Sequence, residues 1–483
     1  MAGHPVSPGL RFGERVRFGV LTHEITPETV DEAIERAGCR EKRRRLLPAR
    51  STMYFILALC LFSSAESAAP PGYRAVLRTL TEKLRHLLGW AVQHLPSSSA
   101  LTRARQRPGT KPLQILFESG CGHLATAASG SSFAFGLRLT AWDGTALDVP
   151  NTPENSRAFG HTGRTGVNLS WNPQLRLMAL IECGTHAIID AAFDAVDTFS
   201  EHKLARRLLA SLQEGTLLLA DRNFAGHELW GLARATGAHL AWRIKKNLVF
   251  VPLRVLPDGS YLTIMRTPQD NLRHGHARAD GRTLPGRPDG HLVRIIDYTV
   301  TVWSVHAAPR TETFRLVTTL LDHRQAPARQ LAQIYHQRWE IENSYAELKN
   351  RLRGVGFILR SKSPDLVWQE TYALLTVYQA ICALKTHTAE RAGIDPDRLS
   401  FTVSVQLARL TIAHQDGLDA AALNTCRHEV TAELLANLLP TRRDRCCHRV
   451  KKPIKNAFEV KKRGPERTSG NVRYTVRVTK HPS

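Results

Sequence analysis

Three carboxylates stand out by residue type and setting: Asp143 in "TAWDGT", Asp221 in "LLLADRNF" and Glu342 in "YHQRWEIENSYAELKN". Asp143 closes a period-two run and Asp221 a short, fully apolar one, and both read as the ends of strands. Glu342 sits on a helix. Side chains at the carboxyl ends of neighbouring strands point into a shared crevice, and a flanking helix can add a third group. Three such anions repel one another unless divalent cations lie between them. Two Mg²⁺ ions about 3.5–4 Å apart would activate a water or a 3′-hydroxyl and steady the leaving oxygen of an in-line phosphodiester displacement. An all-oxygen donor set suits Mg²⁺, with Mn²⁺ as a substitute, and disfavours zinc. Asp148, Asp190, Asp194 and Asp197 are rival carboxylates on the same evidence. Singly, Asp143-Gly144 reads as a turn and Asp221 as a helix cap; the combination with strand order and helix pattern favours the chosen three.

The helix adds a second pattern. Read as one α-helix, Tyr335, Arg338, Glu342 and Lys349 fall within an arc of about 60°. An apolar stripe of Ile334, Ile341, Tyr345 and Leu348 lies beside it. His336, Gln337, Glu340, Asn343, Ser344 and Glu347 make up the outer face. An Arg338–Glu342 pair at i,i+4 accounts for part of the stripe, at about 0.3–0.5 kcal/mol.

These residues need elements to hold them. Residues 1–24 read as a flexible N-terminus. Residues 25–120 read as an α-helical domain with a basic face, suited to binding DNA. It opens on "TPETVDEAIERAG", with a Thr cap and Pro at the first helical position. It includes the apolar run Met53 to Phe62, ten residues, too short to span a bilayer and expected as a buried helix. Residues 131–245 give the order β-β-β-α-β-α-β, the first part of a mixed α/β sheet. The Gly-rich "FGHTGRTG" inside it lacks the lysine pattern of a nucleotide loop. Residues 246–320 read as a β-rich insertion with no helix of length. Helices resume at 321–390, which carries Glu342, and at 391–440. Residues 441–483 read as a basic, flexible tail.

Composition narrows the partner. The 483 residues carry a net charge of +23. From Thr441 onward there are 14 Lys and Arg against 3 Asp and Glu, a net of +11, so about half the excess lies in less than a tenth of the chain. That balance favours a polyanion, nucleic acid above all, over a membrane or a small substrate. Eight scattered cysteines fit a reducing compartment. The group Cys426, His428, Cys446, Cys447 and His448 lacks zinc-site spacing. With no signal peptide visible, a cytoplasmic, nucleoid-associated protein is expected.

The run Tyr335, Arg338, Glu342, Lys349 is Y-x2-R-x3-E-x6-K. It resembles the YREK signature of DDE transposases of the insertion-sequence-four family. "WDGT" at 142–145 and "LADRNF" at 219–224 resemble that family's two Asp motifs, in order. "PQLRLMALIECGTHAIID" and "RRRLLPARSTMYFILALCLF" are also similar to family sequence, so the resemblance covers about residues 15–460. It implies an RNase H-like mixed-sheet catalytic domain with a β-rich insertion before the Glu and an α-helical N-terminal domain. It implies that Asp143, Asp221 and Glu342 are the metal-binding triad, and that Tyr335, Arg338 and Lys349 grip phosphates of the DNA end. Arg222 and Trp339 match further DNA contacts. In some relatives a Trp 28 residues before the Glu receives a flipped base; here that position is Phe314. The resemblance implies cut-and-paste transposition on two Mg²⁺, by a homodimer in a synaptic complex with terminal inverted repeats and target DNA. A silent DNA-binding repressor and an RNase H-like nuclease without strand transfer remain open.

Overall fold

A computed structural model describes residues 15–41, 47–63, 71–87, 95–163, 169–245, 247–281, 288–304, 307–354, 356, 358–414, 419–440 and 473–479. The chain divides into two compact units, Met1–Thr216 with Arg338–Leu439, and Leu217–Gln337 with Pro440–Ser483.

Among the described residues the first unit carries a 3₁₀ turn at Gly19–His23 and then five α-helices: α1 (Pro27–Arg36), α2 (Ala49–Leu61), α3 (Tyr73–Leu87), α4 (Ser98–Gln106) and α5 (Lys111–Gly120). The Thr26 hydroxyl caps α1 by accepting from the Thr29 N–H, with Pro27 at the first helical position. Helix α2 is apolar on every side and is buried from Ser51 to Leu61, as expected from the run at Met53. Each such Leu or Ile stabilises the fold by about 1.5–3 kcal/mol. The sheet of this unit is β1 (Phe133–Ala134), β2 (Leu137–Asp148), β3 (Gln174–Glu182) and β4 (Ile188–Ala195), antiparallel in the order β4-β3-β2. Helix α6 (Pro153–Phe159) follows β2, and α7 (Glu201–Arg207) follows β4.

The second unit begins with β5 (Thr216–Ala220), from Leu217 onward, then α8 (His227–Ala235) and β6 (His239–Arg243), with β5 and β6 parallel. Next come β7 (Arg254–Val255), β8 (Tyr261–Arg266), α9 (Pro268–Ala279), β9 (Gly290–Ser304), β10 (Ala307–Thr318) and α10 (Ala328–Tyr335). The insertion is a meander in which β10 pairs with β6 and β9, and β9 with β8. Fully buried Arg294 pins it, donating to the Ser260 hydroxyl and to the Leu320 and Ala326 carbonyls at 2.8, 3.2 and 2.7 Å.

The chain returns to the first unit with α11 (Trp339–Ala346), a π-helical turn at Glu347–Leu352, α12 (Pro364–Ala392), α13 (Phe401–His414) and α14 (Ala420–Ala436). Helix α12 runs 29 residues, about 44 Å. It is buried along most of its length, starts with Pro364 and stops at Gly393, whose φ of 64° is left-handed. Helices α2 and α5 pack on α12, so the N-terminal helices share a core with the β2–β4 sheet.

Several expectations are corrected. Residues 15–24 are packed, not loose: Val16, Phe18, Val20 and Leu21 are buried, and Gly19, at φ 55°, approaches the α13 backbone where a Cβ would clash. The loop after β2 contains α6, whose Thr152 cap and Pro153 start are plain helix signals. The insertion holds a 12-residue helix, α9. Part of the basic tail is strand β11 (Arg473–Val478), paired with β9. Cys446, Cys447, His448 and the rest of 441–472 lie outside the described residues. Among the described residues six cysteines are free, and no helix is long and apolar enough to cross a membrane.

Candidate active site

Asp143 does not end its strand. Strand β2 continues through Gly144 to Asp148, and Asp143 faces Ala179 of β3 across the ladder. Gly144 was expected in a turn, but it serves a space requirement: a Cβ there would lie 2.5 Å from the Glu201 carboxylate of α7. Asp143 is therefore held mid-strand by backbone pairing on a sheet face.

Helix α11 crosses this strand. The Arg338 guanidinium lies 3.6 Å from Asp143 Oδ2 and 3.3 Å from Glu342 Oε1, tying together acids 199 positions apart. The Tyr345 hydroxyl donates to the Asp143 carbonyl at 2.5 Å and accepts from the Ala179 N–H at 3.1 Å. Burial, then the charge of Asp143, pushes this phenol well above its usual range, so it is a neutral donor. Lys349 donates to the Thr145 hydroxyl at 3.0 Å and the Ala146 carbonyl at 2.9 Å. Burial lowers its pKa from the ordinary 10.5. Arg338, Tyr345 and Lys349 thus stitch the Glu342 helix to β2.

The Asp143 and Glu342 side chains are 24% and 27% exposed, so an ion and its waters can reach them. Their carboxylate oxygens are hard donors that fit a divalent cation such as Mg²⁺ or Mn²⁺. The rival acids are engaged elsewhere. Asp190 accepts from Ser211 at 2.5 Å, Asp194 from Arg207 at 2.9 Å, Asp148 from Gln174 at 2.7 Å and Asp197 from Thr198 at 2.9 Å.

In the second unit Asp221 follows the fully buried β5, as expected. Its Oδ1 accepts from the Asn223 N–H at 2.7 Å, an Asx turn that aims the chain into buried Phe224. It does not cap α8, whose N-cap is Gly226. Arg222 is exposed. Tyr335 is buried and its hydroxyl donates to the carbonyl of Ala220, the residue before Asp221, at 3.1 Å. Phe314 on β10 stacks on Tyr298 with centroids 5.3 Å apart, and the Arg243 guanidinium lies 4.3 Å from its centre.

The expected continuous helix is interrupted. A 3₁₀ turn, His336–Arg338, separates α10 from α11, and the unit boundary falls within it, between Gln337 and Arg338. Arg338, Glu342 and Lys349 therefore belong to one unit and Tyr335 to the other. Trp339 is 36% exposed, with the Arg338 guanidinium 5.7 Å from its ring centre.

Part of the expected outer face of this helix is not solvated, although Asn343 is exposed. Glu340 and Ser344 are buried, and Glu347 is 14% exposed at its side chain. His186, in the β3–β4 turn, reaches Glu340 and Glu347 at 2.7 and 2.8 Å. His186, Glu340 and Asp397 also offer atoms within 4.8 Å of one another, a group that could hold a metal. His186 and Glu340 already meet as an ion pair at 2.7 Å. Tyr345, His186, Glu340 and Glu347 went unassigned because they read as core or surface; an acidic pair seven residues apart on a helix was the available signal.

Residues 15–118 match the insertion element 4 transposase N-terminal family. Residues 134–380, just over half of the chain, match the transposase DDE domain. The chain is 27% identical over 432 residues to the transposase InsG for insertion sequence element IS4 of Escherichia coli strain K12, covering 89% of this chain and 90% of that one. It is 29% identical over 154 residues to the putative transposase InsZ of the same strain, covering 32% of this chain and 51% of that one. A cryo-EM structure of the piggyBac transposase synaptic complex with hairpin DNA is similar over 88% of this chain and 86% of that one, at 10% identity and a TM-score of 0.44. The chain belongs to the insertion element 4 family of DDE transposases, DNA-cleaving enzymes with an RNase H-like α/β fold whose chemistry implies a divalent metal.

Proposed function

We propose that the chain moves an insertion sequence by cut-and-paste transposition. It hydrolyses phosphodiesters at terminal inverted repeats and joins the 3′-hydroxyl ends to target DNA. The observation that carries this reading is the Arg338 guanidinium between Asp143 and Glu342. It supports two of the three acids acting as one centre, and Asp221 is the third. Two Mg²⁺ ions held by Asp143, Asp221 and Glu342 would supply Lewis-acid activation of water or 3′-hydroxyl.

The chain's own residues do the rest. Arg338 neutralises the two carboxylates in the unloaded protein and forks onto a DNA phosphate in the complex. Lys349 adds a point charge, and Arg222 a further one. Tyr335 acts as a neutral hydrogen-bonding group, never as a nucleophile, so no covalent protein–DNA intermediate forms. Trp339 and Phe314 offer aromatic faces to the DNA end. The assembly is a homodimer synapsing two ends, in the cytoplasm at the nucleoid.

Incubation of the full chain with a duplex carrying inverted repeats, with and without Mg²⁺, tests this. Strand transfer that requires Mg²⁺ is expected. Cleavage without joining would leave a nuclease. Salt-sensitive binding without cleavage would leave a repressor.

A further inference from the structure

The side of α11 away from Asp143 carries a buried ion cluster that the proposed chemistry does not use. Glu340 and Glu347 are two helical turns apart and share one face, about half a turn round from Glu342. His186 stands opposite them. Its Nε2 lies 2.7 Å from Glu340 Oε2 and its Nδ1 2.8 Å from Glu347 Oε2. With a carboxylate at each nitrogen, both carry protons and the ring is an imidazolium.

The turn that presents His186 is fixed from several sides. His186 sits at φ 62°, where residues other than glycine are uncommon. Its N–H donates to the Glu182 carbonyl at 3.1 Å, and the Thr185 hydroxyl donates to Glu182 Oε2 at 2.7 Å. From α12, the Tyr378 hydroxyl donates to the His186 carbonyl at 3.2 Å, and the Gln379 side-chain oxygen accepts from the Ile188 N–H at 2.7 Å. Strain kept by this many bonds usually marks a functional constraint. A single bond to α11 would leave it free to roll, whereas two anchors, at Glu340 and Glu347, fix rotation and axial position together. At the second anchor, Glu347, the helix widens into the π turn that carries Lys349.

We propose that His186 is a positioning residue for Glu342: by bridging Glu340 and Glu347 on the back of α11, it sets the roll of the helix that presents Glu342 and Arg338 to Asp143. This rests on the function proposed above.

The test uses the full chain, a duplex carrying the terminal inverted repeat, and Mn²⁺. The variant His186→Gln/Glu340→Gln/Glu347→Gln replaces the buried charges with neutral hydrogen-bonding side chains. It is expected to fold and bind the duplex within about twofold of wild type, to cleave ~10- to 100-fold more slowly in single turnover, and to need ~10-fold more Mn²⁺ for half-maximal rate. Paramagnetic resonance counts bound Mn²⁺ independently of activity. The ions bound by wild type beyond those bound by Glu342→Gln should bind ~10-fold more weakly in the triple variant. A triple variant with wild-type rate and wild-type Mn²⁺ binding overturns the proposal. Should the triple variant not fold, Glu340→Gln keeps the Glu347 anchor. Slower cleavage at unchanged duplex affinity then supports the proposal, and parallel loss of both overturns it. A wild-type chain that binds the duplex yet neither cuts it nor takes up Mn²⁺ overturns the proposed function itself, and the clamp with it; a wild-type chain and triple variant that cut alike overturn only the clamp.

Discussion

Helix α11 meets a pair of carboxylates and a cation on each of two opposite sides. On one side Asp143 and Glu342 flank Arg338, about a quarter exposed and at 3.6 and 3.3 Å. On the other Glu340 and Glu347 flank His186, almost sealed and at 2.7 and 2.8 Å. The first contact is longer and its two carboxylates reach solvent, so an ion or a phosphate can approach them, while the Arg338 side chain between them is 10% exposed. The second is short and dry, so removing His186 leaves two buried carboxylates without their cation. The difference separates a site built to change partners from one built to keep them.

Substitutions should break this comparison in a definite order. Glu342→Gln is expected to lower cleavage by about 1000-fold or more while leaving the melting temperature and duplex affinity nearly unchanged. Gel-based cleavage beside a thermal melt checks it. His186→Ala should act on both, slowing cleavage and costing about 3 kcal/mol of stability in a denaturant titration because two carboxylates lose their cation.

The pH response sharpens the contrast. Burial alone would lower the His186 pKa, but the charges and hydrogen bonds of Glu347 and Glu340 outweigh it and raise it from 6.5 to about 10. A raised pKa means the folded state holds a proton that the unfolded chain releases. The stabilisation is complete below pH 6.5 and is lost as pH rises towards about 10. Burial would raise Glu347, yet His186 and Lys385 hold it below its ordinary 4.5, so its share is present above that pH and fades in acid. Thermal melts of the wild type should therefore decline between neutral pH and pH 10 more steeply than those of the triple glutamine variant. The smallest effect belongs to Gly144, the neighbour of Asp143 on β2. Gly144→Ala should cost about 1 kcal/mol through overpacking against Glu201, and adding Glu201→Ala should restore most of it.

Much of this was readable beforehand, for physical reasons. Strand β5 and Asp221 were legible because a short apolar run followed by Asp-Arg-Asn leaves few alternatives. Helix α2 was legible because a ten-residue apolar stretch must be buried. Asp143 was placed at a strand end because Asp-Gly is a strong turn signal; only the packing of Glu201 against Gly144 shows why the strand runs on. The back of α11 was misread because polar residues opposite an apolar stripe usually face water. Nothing local to Glu340 or Glu347 announces a histidine more than 150 positions earlier. The breaks at His336–Arg338 and Glu347–Leu352 were also hidden, since the residues there all tolerate a regular helix.

The proposed function requires Asp143, Asp221 and Glu342 to serve one metal centre. Fe²⁺ can replace the natural ion in the complex with inverted-repeat duplex; with ascorbate and peroxide it cuts the nearby protein backbone. Cuts are expected close to positions 143, 221 and 342, all suppressed by excess Mg²⁺. Cuts at 143 and 342 without 221, or cuts confined to the segments around His186, Glu340 and Asp397, would contradict it.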